Sequence, residues 1–500
     1  MNSIAPAAVI AMSLLATTNV SAAPDGGLRQ ATTALAAAHP GQSGVLLLDT
    51  GVEALRQRDA LIEAATQTID AQYYIWNPDA SGRYLAARLL AAAARGVHVR
   101  VILDDINAAG RDAAMAGLAA HPNVEIRIYN PTAARGGFLR TLGFIRDFSR
   151  VNRRMHNKSF TADGAVTIVG GRNVGDEYFD LDPETNFRDR ELLAVGPVVN
   201  EVNAGFEAFW NSTWTRPVES LATVDGEPDL FEELSAATGA VTAQGYEVPD
   251  GLSGLVATET LPALLWAPAR LVFDTPPTAE EIDDSDAQQR VALELRQLVA
   301  GTRREILVES AYFILGDQSL AEAARLHEAG VDLRVLTNSL ASNDLVTNHS
   351  GYARRRPAML DAGIELFELR PDAAACRRLV RVSRACENGP AFSLHAKSMV
   401  LDRSVVYIGS FNLNLRSTYL NSETALIVES PELAQRVAAS MEELFRPDSS
   451  WRVLRGKGGG LEWVTEVDGR EVRETHEPMT SFGRRFNSGF YRLFPLEKYL

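Results

Sequence analysis

An α/β fold of two tandem, related domains, each a mixed β-sheet flanked by helices, is the architecture that this sequence of 500 residues predicts. Three observations carry it. The length, with 46% hydrophobic residues, exceeds what a single core usually serves. The pattern His-x-Lys, four residues, Asp, six residues, Gly, two residues, Asn occurs twice, in "MHNKSFTADGAVTIVGGRN" from Met155 and "LHAKSMVLDRSVVYIGSFN" from Leu394. Around each copy, β-rich runs alternate with Ala-rich helical stretches. Duplication of one domain sets the two motifs face to face across a pseudo-two-fold axis, so the active site is expected at the interface of the halves.

Along the chain, "MNSIAPAAVIAMSLLATTNVSAAPDGG" opens with an apolar run over residues 4–16, then Val20-Ser21-Ala22, a small-residue cleavage pattern, although the n-region holds no Lys or Arg. Residues 1–22 are expected to be a signal peptide and the mature chain to be exported; an uncleaved apolar N-terminus is the alternative. No later stretch reaches the ~20 apolar residues that a bilayer span needs. The first domain, 23–215, carries "AQYYIW" and "RGVHVRVILDD" before its motif and "DRELLAVGP" after it. The second, 286–455, repeats them as "SAYFIL", "AGVDLRVLTNS" and "ETALIVESP". Tyr73 and Tyr312 stand as far apart as His156 and His395, which aligns them as equivalents; the core is their expected place, pocket lining the alternative. Residues 216–285, acidic and rich in Pro, Gly and Thr, read as a linker with some local structure. The tail, 456–500, contains a strand-like "LEWVTEV" and an aromatic, basic end in which Gly483, Gly489 and Pro495 speak against a helix. Cys376 and Cys386 either form a disulfide or remain free thiols, and the "RRLVRVSRA" between them has no metal-ligand spacing.

A strand sends residues i and i+2 to one side, so His156 projects with Lys158 and His395 with Lys397. A lone His-x-Lys is commonly a solvated strand edge; identical spacing twice makes the pattern specific. Displacement at a phosphodiester calls for a nucleophile on one side of phosphorus and an acid for the leaving oxygen on the other, and two facing imidazoles supply both. Lys158 and Lys397 would neutralise the phosphate oxygens, while Asn173, Ser410 and Asn412, beside glycines, would donate hydrogen bonds to them. Asp189 and Glu423 are placed to hold an imidazole each by its other ring nitrogen. Asp163 and Asp402 complete the motifs as candidate catalytic residues, with a local turn role as the alternative. His349 is an acceptor-site candidate or a surface histidine. No metal or cofactor is called for.

The formal charge of −15 argues against a general nucleic-acid coat. Locally the balance reverses. Residues 135–158 hold seven Lys/Arg and one Asp among Phe138, Leu139, Leu142, Phe144, Ile145 and Phe148, a composition suited to an anionic bilayer surface. A basic active-site rim over ordinary core residues is the alternative. Arg484, Arg485 and Arg492 among Phe482, Phe486, Phe490, Tyr491 and Phe494 invite the same membrane reading.

The twin HxKx4Dx6GxxN motifs resemble the phospholipase D superfamily over nearly the whole mature chain. Within it, "HPGQSGVLLLDTG", "DAQYYIWNPDASGR", "VGGRNVGDEYF", "TNSLASND", "HSGYARRR" and "IGSFNLNLRSTYLNSE" resemble the bacterial cardiolipin synthases, most nearly the C-type. That resemblance implies two phospholipase D-like domains and a metal-free phosphatidyl transfer through a phosphohistidine. It joins phosphatidylglycerol to a second phospholipid, phosphatidylethanolamine being one option, to form cardiolipin. His156 is the implied nucleophile, and His395 the acid and then the base. The implied partners are phospholipid substrates and an anionic membrane, met peripherally and on the periplasmic side for an exported chain, with no nucleic acid. The oligomeric state stays open, because a duplicated chain needs no dimer to complete its site. A phospholipase D-type hydrolase uses the same parts and is the alternative. A nuclease or a non-catalytic lipid-binding protein stands further off, since the basic segment is interleaved with apolar residues and both motifs are intact.

Overall fold

Short aliphatic runs pair into two large sheets in the computed structural model, which describes residues 27–132, 134–135, 147–222, 230–249, 251–278, 281, 287–380, 386, 391–494 and 497–499. The expected signal peptide and Phe138, Leu139, Leu142, Phe144 and Ile145 of the basic segment lie outside the described residues. In the first sheet the strands run, in spatial order, Leu265–Ala267, Ser43–Leu48, Glu191–Val195, Val166–Gly170, Ser159–Ala162, Thr68–Tyr73, His98–Asp104, Val124–Tyr129 and Thr215–Pro217. In the second they run Ala269–Phe273, Thr424–Glu429, Val405–Gly409, Lys397–Leu401, Glu305–Ser310, Asp332–Asn338, Glu365–Leu369, Ser450–Arg455, Leu461–Val467 and Arg470–Glu474. From Ser43–Leu48 in one and Ala269–Phe273 in the other, the order of strands is the same. In each half, three neighbouring strands are parallel and the rest antiparallel. The parallel connections need crossovers, which the helices Ala80–Ala94 and Asp112–Ala119, and Asp317–Glu328 and Val346–Asp361, provide.

This order corrects three expectations. The acidic stretch 216–285 is more than a linker: it places Leu265–Ala267 on the edge of the first sheet and, one residue further on, Ala269–Phe273 on the edge of the second. The second repeat therefore starts before 286. The tail continues the second sheet by two strands and then forms the helix Phe482–Tyr491, whose N-cap Ser481 accepts from the backbone of Arg484. Cap and packing outweigh the cost of Gly483 and Gly489 there. Tyr73 and Tyr312 are not equivalents either. Thr68 pairs with His98 as Glu305 pairs with Asp332, which aligns Tyr73 with Ser310 and leaves Tyr312 beyond its strand.

The halves share one core. Val45, Val169, Leu192 and Ala194 of the first pack with Leu307, Val400, Ile408 and Leu426 of the second. A buried charge pair bridges the same boundary, Arg190 reaching Glu309 at 3.0 Å while Asp49 of its own half holds it at 2.7 Å. Cys376 and Cys386 are joined as a disulfide at a Cα separation of 5.8 Å.

Candidate active site

Each motif histidine sits just ahead of an inner strand of its own sheet, where the chain crosses to the other half. Strand Thr185–Arg188 of the first half pairs in parallel with Ala391–Leu394 of the second, and the backbone N–H of His395 donates to Arg188 O at 2.8 Å. Reciprocally, the N–H of His156 donates to Ser422 O at 2.9 Å. These exchanges carry the carboxylates across. His156 Nδ1 lies 2.7 Å from Glu423 Oε2, and His395 Nδ1 lies 2.5 Å from Asp189 Oδ2. Each imidazole is thus oriented by the opposite half, leaving its Nε2 for chemistry. Asn157 ties the crossing further, donating to Glu423 O at 2.9 Å and Thr424 Oγ1 at 2.8 Å.

Both lysines are fully buried, Lys158 donating to His156 O at 2.6 Å and Lys397 to His395 O. The two clusters feel one another's charge. Burial away from water pulls Lys158 down to about 7, Glu423 opposing this and Lys397 adding to it. Lys397 falls to about 8, again through burial, with Asp189 opposing. Both imidazoles are drawn to about 4 by burial, opposed by Glu423 at His156 and reinforced by Lys397 at His395, so both are neutral in the empty site. Burial works against the charge on Glu423 and Asp189, yet the facing imidazoles and lysines hold both carboxyls below their ordinary values. Two neutral imidazoles backed by carboxylates, with two buried lysines beside them, suit in-line displacement at an anionic phosphorus centre.

The sequence matches the family described as cardiolipin synthase, PLD-like domain, over residues 59–210 and again over 295–445. This chain belongs to that family. It is 39% identical to cardiolipin synthase C of Escherichia coli across 94% of this chain and 99% of that protein. An uncharacterized protein of Helicobacter pylori is 30% identical over 91% of this chain and 89% of its own length. Among solved structures, the phosphatidylserine synthase of Haemophilus influenzae Rd KW20 superposes with a TM-score of 0.59 at 12% identity, covering 94% of this chain and all of that one, a likeness of fold.

Not every residue expected at the family's site is brought to it. The Asp163 carboxylate accepts the backbone N–H groups of Thr66, Gln67 and Thr68, and Asp402 those of Arg303, Arg304 and Glu305. Both lie on hairpin turns with φ near +50°, at the far end of the strand from the histidines. A catalytic part for Asp163 and Asp402 is therefore corrected to a structural one: they tie the turn to the start of the neighbouring strand. Ser410 donates to Glu423 Oε2 at 2.5 Å instead of facing a substrate. Asn173 spans Ile75 N and the Tyr178 hydroxyl, at 3.2 and 3.1 Å, and so acts on its neighbours. Asn412 is buried with its Oδ1 unpartnered. His349 is neither exposed nor near the motif histidines by any contact; it is buried, its Nε2 3.4 Å from Glu477 beside Arg356.

Two tyrosines were missed. Tyr74 packs edge-on to His156 at 5.0 Å, and Tyr178 does the same to His395 at 5.1 Å. The rings of Tyr74 and Tyr312 also stand 5.6 and 5.9 Å from the ammonium groups of Lys158 and Lys397. For Tyr74, strand alternation is the available signal, since its neighbour Tyr73 faces the core; Tyr178 lies in a 3-10 turn that offers none.

Proposed function

We propose that this protein is a phosphatidyltransferase that forms cardiolipin from phosphatidylglycerol and a second phospholipid, phosphatidylethanolamine among them, through a phosphohistidine. The observation that carries the reading is the reciprocal pairing of His156 with Glu423 and His395 with Asp189 in one buried site that also holds Lys158 and Lys397. The kinship with cardiolipin synthase C supports the choice of substrate class. Binding of the anionic phosphodiester brings a proton from solvent onto His395 Nε2, above Asp189. In the first step His156 Nε2 bonds to phosphorus, the bond from phosphorus to the headgroup oxygen breaks, and the His395 imidazolium gives that oxygen its Nε2 proton. Lys158 and Lys397 neutralise the other phosphate oxygens, helped by the Asn412 amide. In the second step the hydroxyl of the second lipid loses its proton to His395 and attacks phosphorus, and the bond to His156 breaks. Glu423 and Asp189 hold the Nδ1–H of each imidazole and balance the charge that passes through it.

Transfer must outrun water, since exchange between phosphodiesters is nearly neutral in energy while hydrolysis is downhill. Burial of both histidines excludes bulk solvent, and a bound, oriented hydroxyl reaches effective molarities of about 10⁵ M or more. Purified protein given phosphatidylglycerol with labelled phosphatidylethanolamine in mixed micelles is expected to yield cardiolipin by mass spectrometry. Phosphatidic acid as the sole product, with acceptor saturating, would make the protein a hydrolase.

Peripheral membrane association is part of the proposal. Helix Phe482–Tyr491 leaves Phe482 77% and Phe486 63% exposed, with Phe490 on the same stripe, while Arg484 anchors the other side on Leu340 O at 2.8 Å. Phe148 of the basic segment is also exposed and packs on Tyr499 at 5.3 Å. No helix among the described residues is long and apolar enough to cross a membrane. Phe482→Ser with Phe486→Ser is expected to weaken binding to phosphatidylglycerol vesicles in sedimentation, and unchanged binding would remove this face. Export is supported by the N-terminal pattern and the Cys376–Cys386 disulfide. N-terminal sequencing of the mature chain is its test, and a retained Met1 contradicts cleavage.

A further inference from the structure

We infer that an apolar cleft beside His156 receives one acyl chain of the phospholipid substrate. The inference rests on the reading that the substrate is a diacyl lipid, and extends it to a site away from the reacting phosphorus. The cleft originates in the sequence. Helices "ASGRYLAARLLAAAA" and "DAAMAGLA" cover the strands His98–Asp104 and Val124–Tyr129, and small residues such as Ala86 and Ala114 leave the space between them unfilled. By strand alternation Val99, Val101 and Leu103 floor the cleft, with Val124 and Ile126 in register beside them. Its volume is about 330 Å³, within the usual range of ligand pockets.

Position and lining together select the occupant. One end is continuous with the active site: Tyr74 lines the cleft while its ring stands 5.0 Å from that of His156. Asp104 lines the same end and accepts from the backbone N–H of Met155, next to that histidine, at 2.9 Å. From Asp104 the floor runs back to Val99, about 17 Å at the rise of a β-strand, a length that suits an extended chain. From Leu103 to Val99 the floor is aliphatic, while the polar lining residues Asn77, Arg83, Asn107 and Arg111 come from the loops and helices around it, so a sugar or a nucleotide would leave unpaired those polar atoms that face the floor. An acyl chain covers the same apolar surface without that loss. The space also opens outward, since Ala114 is exposed and Leu90 and Leu118 are only half-buried.

Filling the cleft tests the inference. Ala86→Phe and Ala114→Phe are assayed on dipalmitoyl- and dihexanoyl-phosphatidylglycerol, each in the same detergent micelles. Both variants are expected to lower the ratio of long-chain to short-chain kcat/KM by roughly tenfold or more, because a pocket discriminates by the methylenes it can hold. A ratio equal to that of the unmodified protein overturns the inference while leaving the phospholipid reading intact. If the unmodified protein converts neither lipid, it is the phospholipid reading that falls. Binding is read separately through Trp76, which lines the cleft. Phosphatidylglycerol brominated on its acyl chains is expected to quench the unmodified protein more than Trp76→Phe, and to lose that difference in the Ala86→Phe background even where turnover is lost. Equal quenching with and without Trp76 in the otherwise unmodified chain would place the acyl chains elsewhere.

Discussion

His156 and His395 occupy matching positions in matching sheets, yet the carboxylates behind them are held differently. Glu423 accepts from His156, from Ser410 at 2.5 Å, from Ser417 at 2.7 Å and from Asn421 at 3.3 Å. Asp189 accepts from His395 and from the backbone N–H of Arg190 at 2.8 Å. Part of the difference traces to one motif position, Ser410 in the second copy and Gly171 in the first. A Cβ on Gly171 would stand 2.5 Å from Asp189 Oδ1, so the shorter carboxylate and the bare glycine require one another. Every added donor draws charge from a carboxylate, which leaves Glu423 the weaker acceptor and Asp189 the stronger. On the proposed mechanism, the imidazole backed by the stronger acceptor is the one that takes up a proton, as an acid and base must. The other, the proposed nucleophile, stays neutral. Duplication supplied the symmetry, and the different donors around Glu423 and Asp189 distinguish the two halves.

The largest effects expected are those of Glu423→Gln and Asp189→Asn, each of which removes the charge behind an imidazole and is expected to lower kcat by about 10²–10⁴-fold. Single-turnover kinetics separate them. Glu423→Gln should slow formation of the covalent intermediate, whereas Asp189→Asn should slow both formation and breakdown. Identical profiles would erase the distinction between the halves.

Next in size is the exchange at the motif position itself. Gly171→Ser is expected to displace Asp189 and cost roughly tenfold or more in kcat, whereas Ser410→Ala removes one hydrogen bond of about 1 kcal/mol and costs about fivefold. The reverse order of severity in steady-state assays would contradict the account of why the halves differ.

A few-fold effect is expected from pH. Lys158, drawn to about 7 by burial, is partly uncharged at neutral pH in the empty site. A bound phosphodiester favours the ammonium form, so binding takes up a proton, and affinity weakens as pH rises above the empty-site value. KM for anionic lipid should be flat below about pH 7 and rise several-fold toward about pH 9, and a KM that falls over that interval would give the linkage the wrong sign.

The smallest effect on turnover belongs to Asp163→Asn and Asp402→Asn. Each weakens a set of backbone hydrogen bonds remote from the site, so kcat should be unchanged while urea midpoints show a loss of about 1–3 kcal/mol. A large loss of kcat in folded protein would restore them to the catalytic machinery.

How much was legible beforehand follows the physics of each feature. The two His-x-Lys pairs and their partnership across the halves were readable, because duplicated spacing at strand period fixes which side chains share a face. That each carboxylate crosses to the opposite half was not, since linear spacing cannot say which backbone meets which. Ser410 was read as a substrate donor because its glycine neighbour permits close approach; its hydroxyl is captured by Glu423, a contact from another strand. The aligned aromatics point to Tyr73 rather than Tyr74 because they conceal a shift in strand register. The strand Ala269–Phe273 was hidden in an acidic, Pro-rich stretch whose composition spoke louder than five apolar-rich residues.

The central claim is that the symmetric pair works asymmetrically, with phosphorus carried by His156. Rapid quenching of the protein with phosphatidylglycerol labelled at its phosphorus, followed by peptide mapping under alkaline conditions, measures this directly. Label is expected on the peptide containing His156 and absent after His156→Ala, with His395→Ala slowing its release. Label on the peptide containing His395, persisting in His156→Ala, would contradict the account.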